Sequence, residues 1–206
     1  GASLIQTDFS RALFQEANLN DANLMGANLC DAELMQADLI RAQLVEANLL
    51  SANLTGADLS EAKLTGHYQR EGYCSRGANF KNAKLVGAIL RRADASGAEL
   101  MGADCTGVDF TGANLREANL KHACLKSTCF VDAKLGDANF RGVDLKDSDF
   151  SGAELIEANF QGVDLRTVKN ISSEELQLAK LDSETQVPDY IELIWNSEDT
   201  YECRQK

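Results

Sequence analysis

Residues 17–51 read ANLND ANLMG ANLCD AELMQ ADLIR AQLVE ANLLS, seven consecutive five-residue units with Leu at the centre of each. Calling that centre position i, the register extends outward in both directions from this stretch. A first block of 13 units covers 2–66, with i running from Leu4 to Leu64, and a second of 18 covers 78–167, with i running from Phe80 to Leu165. Position i−2 is Ala in 25 of the 31 units, the exceptions being Thr7, Val108, Thr128, Val143, Ser148 and Val163. Position i is Leu or Phe everywhere except Ala95 and Cys105, and all eight phenylalanines of the chain fall there. A repeat this regular decides the architecture before any single residue does.

A period of five matches neither the 3.6 of a helix nor a long strand alternation. Within one unit, however, i−2 and i lie two apart and share one side of a short extended segment. Those two positions form the core, small Ala leaving room at the corner and Leu or Phe filling the centre. Positions i+1 and i+2 must then turn the chain, and 11 of the 15 glycines lie at i+2, where a corner calls for positive φ. The reading is all-β, a winding solenoid.

The pattern resembles the pentapeptide repeat family, whose A(D/N)LXX motif it matches over about four fifths of the chain. The resemblance implies a right-handed quadrilateral parallel β-helix of four units and 20 residues per coil. About eight coils at ~4.8 Å each would make a rod on the order of 38 Å long. Phe110, Phe130 and Phe150 should then stack on one side and Phe80, Phe140 and Phe160 on the opposite side, with Ala95 facing Cys105 where the core is thin. Asn119, Asn139 and Asn159, all at i−1, should form an amide ladder.

The domains expected are a repeat domain over 1–167, broken by a loop or bulge at 67–77, and a C-terminal helical cap and tail over 168–206. The break, HYQREGYCSRG, shifts the phase, because Leu64 to Phe80 is 16 residues. It is read as a loop with Tyr68 or Tyr73 tucked against the rod; a reactive cluster of His67, Tyr73 and Cys74 lacks an orienting partner. In NISSEELQLAKL, Ser172 as N-cap with Glu175 at N3 predicts a capping box, and Ile171 with Leu176 a hydrophobic staple. A second helix is expected after Pro188, with Tyr190, Ile191, Ile194 and Trp195 on one face, packed on the cap or offered to a partner. At Gly1 the chain enters a repeat directly, so it either continues upstream or meets another subunit there, which would make a homo-oligomer.

Twenty Lys and Arg against 32 Asp and Glu give a net charge of −12, a poor match to a phosphate backbone, so direct nucleic-acid binding is not expected. No apolar run of bilayer length occurs, so membrane insertion is not expected either. The six cysteines and two histidines form no metal-ligand spacing, and no GxxxxGK[ST] phosphate loop or orientable nucleophile occurs, so neither cofactor nor catalysis is expected. Of the thiols, Cys30 and Cys203 should label first and buried Cys105 last. The sequence does not fix the compartment; the cytoplasm is favoured, with a periplasm or thylakoid lumen the alternative if an upstream signal has been removed.

Outward positions point to a protein partner. In the first block i+1 carries no charge and includes Ile5, Met25, Val45, Cys30, Leu50, Met35 and Ile40, the candidate interaction surface. In the second block i+1 holds eight cations, among them Arg91, Arg116, Lys126 and Lys146. The function expected is a non-enzymatic interaction or scaffold module. The alternative, drawn from the family, is an acidic DNA mimic that inhibits a type II topoisomerase such as DNA gyrase. Charge distribution weakens it, since residues 78–167 carry 13 acids and 11 bases and are nearly neutral.

Overall fold

The computed structural model describes residues 1–65, 68–69, 73–74, 77–197 and 200–206. In each pentad the residue at i−1 forms an isolated parallel bridge, as in Ser3 to Asn23, Asn23 to Gln43 and Gln43 to Lys63, so the coil repeats every 20 residues with four bridged columns. The chain is a parallel β-helix.

One unit, Ala27 to Asp31, shows why five residues suffice. Ala27 N–H donates to Leu24 O across the corner (3.0 Å), Asn28 N–H to Thr7 O one coil back (3.0 Å), Leu29 N–H to Asn48 O one coil on (2.7 Å) and Asp31 N–H to Leu50 O (2.9 Å). The amide at i+1, Cys30 N–H, has no neighbouring carbonyl and is taken by the Asn28 side chain, Oδ1 at 3.3 Å. All five donors are bonded, which a buried winding chain requires. Asn or Asp at i−1 is therefore a corner cap, repeated at Ser10 by Asp8 (3.0 Å) and at Thr111 by Asp109 (2.9 Å). Corner position i+2 is left-handed, among the described residues at ten glycines from Gly26 (φ 63°) to Gly162 (φ 70°) and at side-chain-bearing residues such as Asp21 (φ 56°).

The i−2 and i side chains fill the interior. Leu24 through Leu165 at position i are buried, Ala95 and Cys105 included, whereas Leu4, Phe9, Phe14 and Leu19 of the first coil are only partly buried. The phenylalanines stack as the spacing requires. Phe110 lies 5.5 Å from Phe130 and Phe130 4.8 Å from Phe150 in one column, Phe140 lies 4.6 Å from Phe160 in another, and Phe130 meets Phe140 edge-on at 6.0 Å across the core.

The break between blocks leaves the coil and returns to it. Bridges across it join Asn48 to Asn79 and Lys63 to Asp94, 31 residues apart, so 11 residues beyond the usual 20 lie between the bridged positions. Ala78 N–H donates to Leu64 O at 2.7 Å, the same corner bond that Ala62 makes to Leu59. Within the excursion β1 (Tyr68–Gln69) pairs antiparallel with β2 (Tyr73–Cys74). The returning chain passes so near its neighbour that a Cβ on Gly77 would sit 2.7 Å from the Gly97 carbonyl carbon and the Ala98 nitrogen. His67 and the packing expected of Tyr68 or Tyr73 lie outside the described residues.

At the C-terminus the winding runs on past 167. Asp149 bridges Lys169, Asn159 bridges Lys180 and Asp164 bridges Gln186. A five-residue helix, α1 (Ser173–Gln177), is inserted in this last coil and carries the expected capping box between Ser172 and Glu175. Leu176 is fully buried and Ile171 nearly so, which lays the helix over the rod's end. The second helix is not formed. Instead β3 (Ile191–Trp195) and β4 (Tyr201–Gln205) make an antiparallel hairpin in which Trp195 faces Tyr201. Alternation decides it: Ile191, Leu193 and Trp195 join the core on one side while Glu192 stays exposed on the other, a period of two that a helix cannot satisfy.

Candidate interaction surface

Bridge register places the seven outward candidates around the rod rather than on one side of it. Ile5, Met25 and Val45 follow the column of Ser3, Asn23 and Gln43; Cys30 and Leu50 follow the adjoining column of Asn28 and Asn48. Met35 lies on the third column and Ile40 on the fourth. Ile5 is 46% exposed and Met35 38%, while Met25, Cys30, Ile40 and Leu50 are half-buried. Val45 is only 4% exposed and offers little to a partner, because an outward side chain in the middle of a stack is covered by the residues above and below it. Sequence reading passed over Leu13, the most exposed large apolar residue at 74%. Its signal was present, since it occupies i−1, where polar residues otherwise dominate the first block.

Four of the eight i+1 cations of the second block are paired with acids on later coils. Lys81 meets Glu99 (3.5 Å), Arg91 meets Asp109 (2.6 Å) and Lys126 meets Asp144 (3.1 Å), in each case a corner cation and the i−1 acid one coil on. Arg116 reaches Glu154 two coils on, at 2.5 Å. Asp109 titrates below the usual carboxylate range. Burial alone would raise it, but bonds from Thr111 and the Arg91 guanidinium outweigh that. Exposed pairs of this kind add little stability, yet they cancel the field a charged ligand would feel.

Cys105 is the buried thiol expected, while the two thiols expected to label first are raised as well. Cys105 is fully buried and its thiol is pushed far up by that burial. Cys203, half-buried on the core side of β4, is pushed up to about 11 by burial as well, and Cys30 is raised by burial and by Asp31. Neither of the two thiols named from the sequence is thus activated. Cys124 and Cys129 sit beside Thr106 and Thr111, sulfur to oxygen 3.2 and 3.3 Å. Among the described residues no group of His, Cys, Asp and Glu could hold a metal ion, and no helix is long and apolar enough to cross a membrane.

Of the C-terminal candidates, Ile191 is buried, Ile194 and Trp195 are half-buried, and Tyr190 is 39% exposed with its hydroxyl donating to Ile171 O (3.1 Å). They belong to the hairpin and to the turn before it, not to one helix face.

A family model described as pentapeptide repeats matches in eight copies, over residues 1–29, 32–66, 76–104, 98–137 and 133–169. Solved structures similar to the chain include QnrB1, a plasmid-mediated fluoroquinolone resistance protein, at 21% identity over 88% of this chain and 92% of that one, TM-score 0.50. Another is HetL, a pentapeptide repeat protein involved in heterocyst differentiation regulation from the cyanobacterium Nostoc sp. strain PCC 7120, at 26% identity over 91% and 87%, TM-score 0.40. A third comes from the Arabidopsis thaliana thylakoid lumen, at 23% identity over 75% and 68%, TM-score 0.23. No curated protein matches the sequence.

Proposed function

Since this chain belongs to the pentapeptide repeat family, we propose that it is a non-enzymatic protein-binding module, a right-handed, four-sided rod whose first block carries the contact surface. The observation that carries this reading is the contrast between blocks. Position i+1 of the first block bears no charge and presents Ile5 and Met35 openly, with Met25, Cys30, Leu50 and Ile40 half-buried beside them. The same position of the second block bears eight cations, four of them, Lys81, Arg91, Arg116 and Lys126, tied to acids one or two coils on, and leaves Ile156 exposed among them. Apolar residues gathered at one end are what a partner can desolvate, whereas compensated ion pairs resist desolvation. The adjoining columns of Ile5 with Met25 and of Cys30 with Leu50 form the centre of the contact. HetL, described as acting in heterocyst differentiation regulation, is a family member with a regulatory role of its own.

The test is recovery of host proteins on immobilised wild-type chain and on an Ile5→Lys, Met25→Lys variant of unchanged circular dichroism. A partner retained by the first and lost by the second supports the reading; identical recovery on both removes it. The gyrase reading ranks second, because the second block is nearly neutral and acids such as Asp109 and Asp144 are paired with corner cations. Inhibition of supercoiling by the purified chain at low micromolar levels would reverse that order.

A further inference from the structure

The C-terminal hairpin has one closed edge and one open edge. Asn196 N–H donates to Thr200 O and Lys206 N–H to Tyr190 O, each at 2.9 Å, which fixes the alternation of the ladder. The pairs Ile194–Glu202 and Glu192–Arg204 therefore exchange bonds inside the hairpin, and the backbone groups of Leu193, Trp195, Tyr201 and Cys203 point outward. On the β4 side one side chain takes two of the four. The Gln177 amide donates from Nε2 to Tyr201 O (3.0 Å) and accepts at Oε1 from Cys203 N–H (2.8 Å), so α1 closes that edge. On the β3 side Ile191 N–H is held by Pro188 O (2.9 Å), but the N–H and C=O of Leu193 and of Trp195 have no hydrogen-bond partner among the described residues. An apolar strand with an open edge recruits another strand unless something blunts it.

We propose that β3 pairs antiparallel with β3 of a second copy about a twofold axis at Ile194, joining two hairpins into one four-stranded sheet. In that register Leu193 lies opposite the partner's Trp195, and Trp195 opposite the partner's Leu193. The N–H and C=O of Leu193 and of Trp195 in each copy are then used in four intermolecular hydrogen bonds. Shifting the axis to Glu192 would oppose two carboxylates. Shifting it to Leu193 would demand the Ile191 N–H, which Pro188 already holds.

Side-chain placement favours a second copy over a foreign strand. Leu193, Trp195, Tyr201 and Cys203 pack toward the core, so the other face of the hairpin carries Glu192, Ile194, Glu202 and Arg204. Ile194 is the apolar residue on that polar face, and the twofold axis brings it against its own copy. Glu192, paired in register with Arg204, lies opposite the partner's Asn196, so no like charges meet. A contact that matches itself residue by residue is what an isologous dimer requires. It is independent of the partner surface at the other end of the rod.

The experiment is sedimentation of the full chain across a concentration series, together with Ile194→Lys, Ile194→Cys and Glu192→Cys variants. Two Ile194 positions in a non-hydrogen-bonded pair would have Cα atoms about 4.5 Å apart, inside the disulfide range. The expected results are a concentration-dependent dimer, at least tenfold weaker for Ile194→Lys, and an interchain disulfide on mild oxidation of Ile194→Cys but not of Glu192→Cys. The Leu193 and Trp195 amides should exchange more slowly as the dimer forms. A monomer throughout with no cross-link overturns the proposal, as does a dimer that Ile194→Lys leaves intact and Ile194→Cys fails to trap. Protection of the two amides only when another protein is added to a monomeric chain would assign the edge to that protein instead.

Discussion

The side chain at i−1 does more than face solvent. Asn48 accepts from Leu50 N–H (3.3 Å) and from Asn79 Nδ2 (3.1 Å) and donates to Asn28 Oδ1 (3.0 Å), so it caps a corner and links two coils at once. The ladder Asp8–Asn28–Asn48–Asn79 crosses the extruded segment. Asn48→Ala should cost about 1–3 kcal/mol, three part-buried bonds at about 1 kcal/mol each less what water restores, read as a lowered urea midpoint at unchanged slope. The ladder expected at Asn119, Asn139 and Asn159 has the right bridges, but no side-chain bond joins the three among the described residues; Asn119 turns to Glu99 instead, at 2.9 Å. Spacing fixes which residues stack, but whether amides bond along the stack depends on side-chain torsions that no periodicity encodes. Tyr201 supplies a residue-level test in pH. Burial pushes its hydroxyl, which donates to Leu176 O and Ala179 O, up to about 12. A phenol that ionises later folded than unfolded stabilises the fold below pH 10 and loses that contribution as pH rises through 12. Absorbance near 295 nm should therefore show a tyrosine ionising near pH 12 that is absent in Tyr201→Phe, with Tyr190 raised by burial as well; a chain whose tyrosines all ionise together near pH 10 would contradict the burial.

At the level of elements, the extruded hairpin and the C-terminal cap behave differently toward deletion. Because Ala78 closes on Leu64 with the ordinary corner bond, removing residues 67–77 leaves Gly66 followed by Ala78 and restores an unbroken pentad register. The shortened chain should fold with the same circular dichroism and a thermal midpoint within a few degrees of wild type; a molten or aggregated product would mean that the segment is needed to pass the phase change. The cap should tolerate less. Ser172→Ala removes the side-chain acceptor for Glu175 N–H (3.1 Å), its half of the capping box, at about 1 kcal/mol, with faster exchange at the start of α1 as the readout. Sequence reading located this box and the break, but it mistook β3 for a helix. Over five residues Tyr190, Ile191, Ile194 and Trp195 fit a helical face as well as Ile191, Leu193 and Trp195 fit a strand, and only the partner strand 201–205 separates the two. The continuation of the coil was hidden for a related reason. The helix stretches the bridge spacing from Asn159 to Lys180 and from Asp164 to Gln186, so the pentad loses its count while the winding persists.

For the whole molecule, everything outward is organised by a winding that brings residues 20 apart into contact and keeps residues 5 apart on different columns. That rule was legible in the sequence, because Ala and Leu or Phe at fixed offsets leave no other way to build a core. What lies outside the rule, the open edge of β3 and the exposed Leu13, came from hydrogen bonds and exposure. The partner surface, the compensated charges and the proposed dimer all inherit their geometry from it. Distances between spin labels on the corner column of Gln15, Thr106, Lys126 and Arg166 test it most directly, with one label held at position 15. Each further coil should add about 4.8 Å, putting Gln15 about 19 Å from Thr106, 24 Å from Lys126 and 34 Å from Arg166. Narrow distributions rising in those steps are the result expected. Distances that do not grow with the number of intervening coils would show that the pentads do not stack in this register, and the surfaces built on it would fall with it.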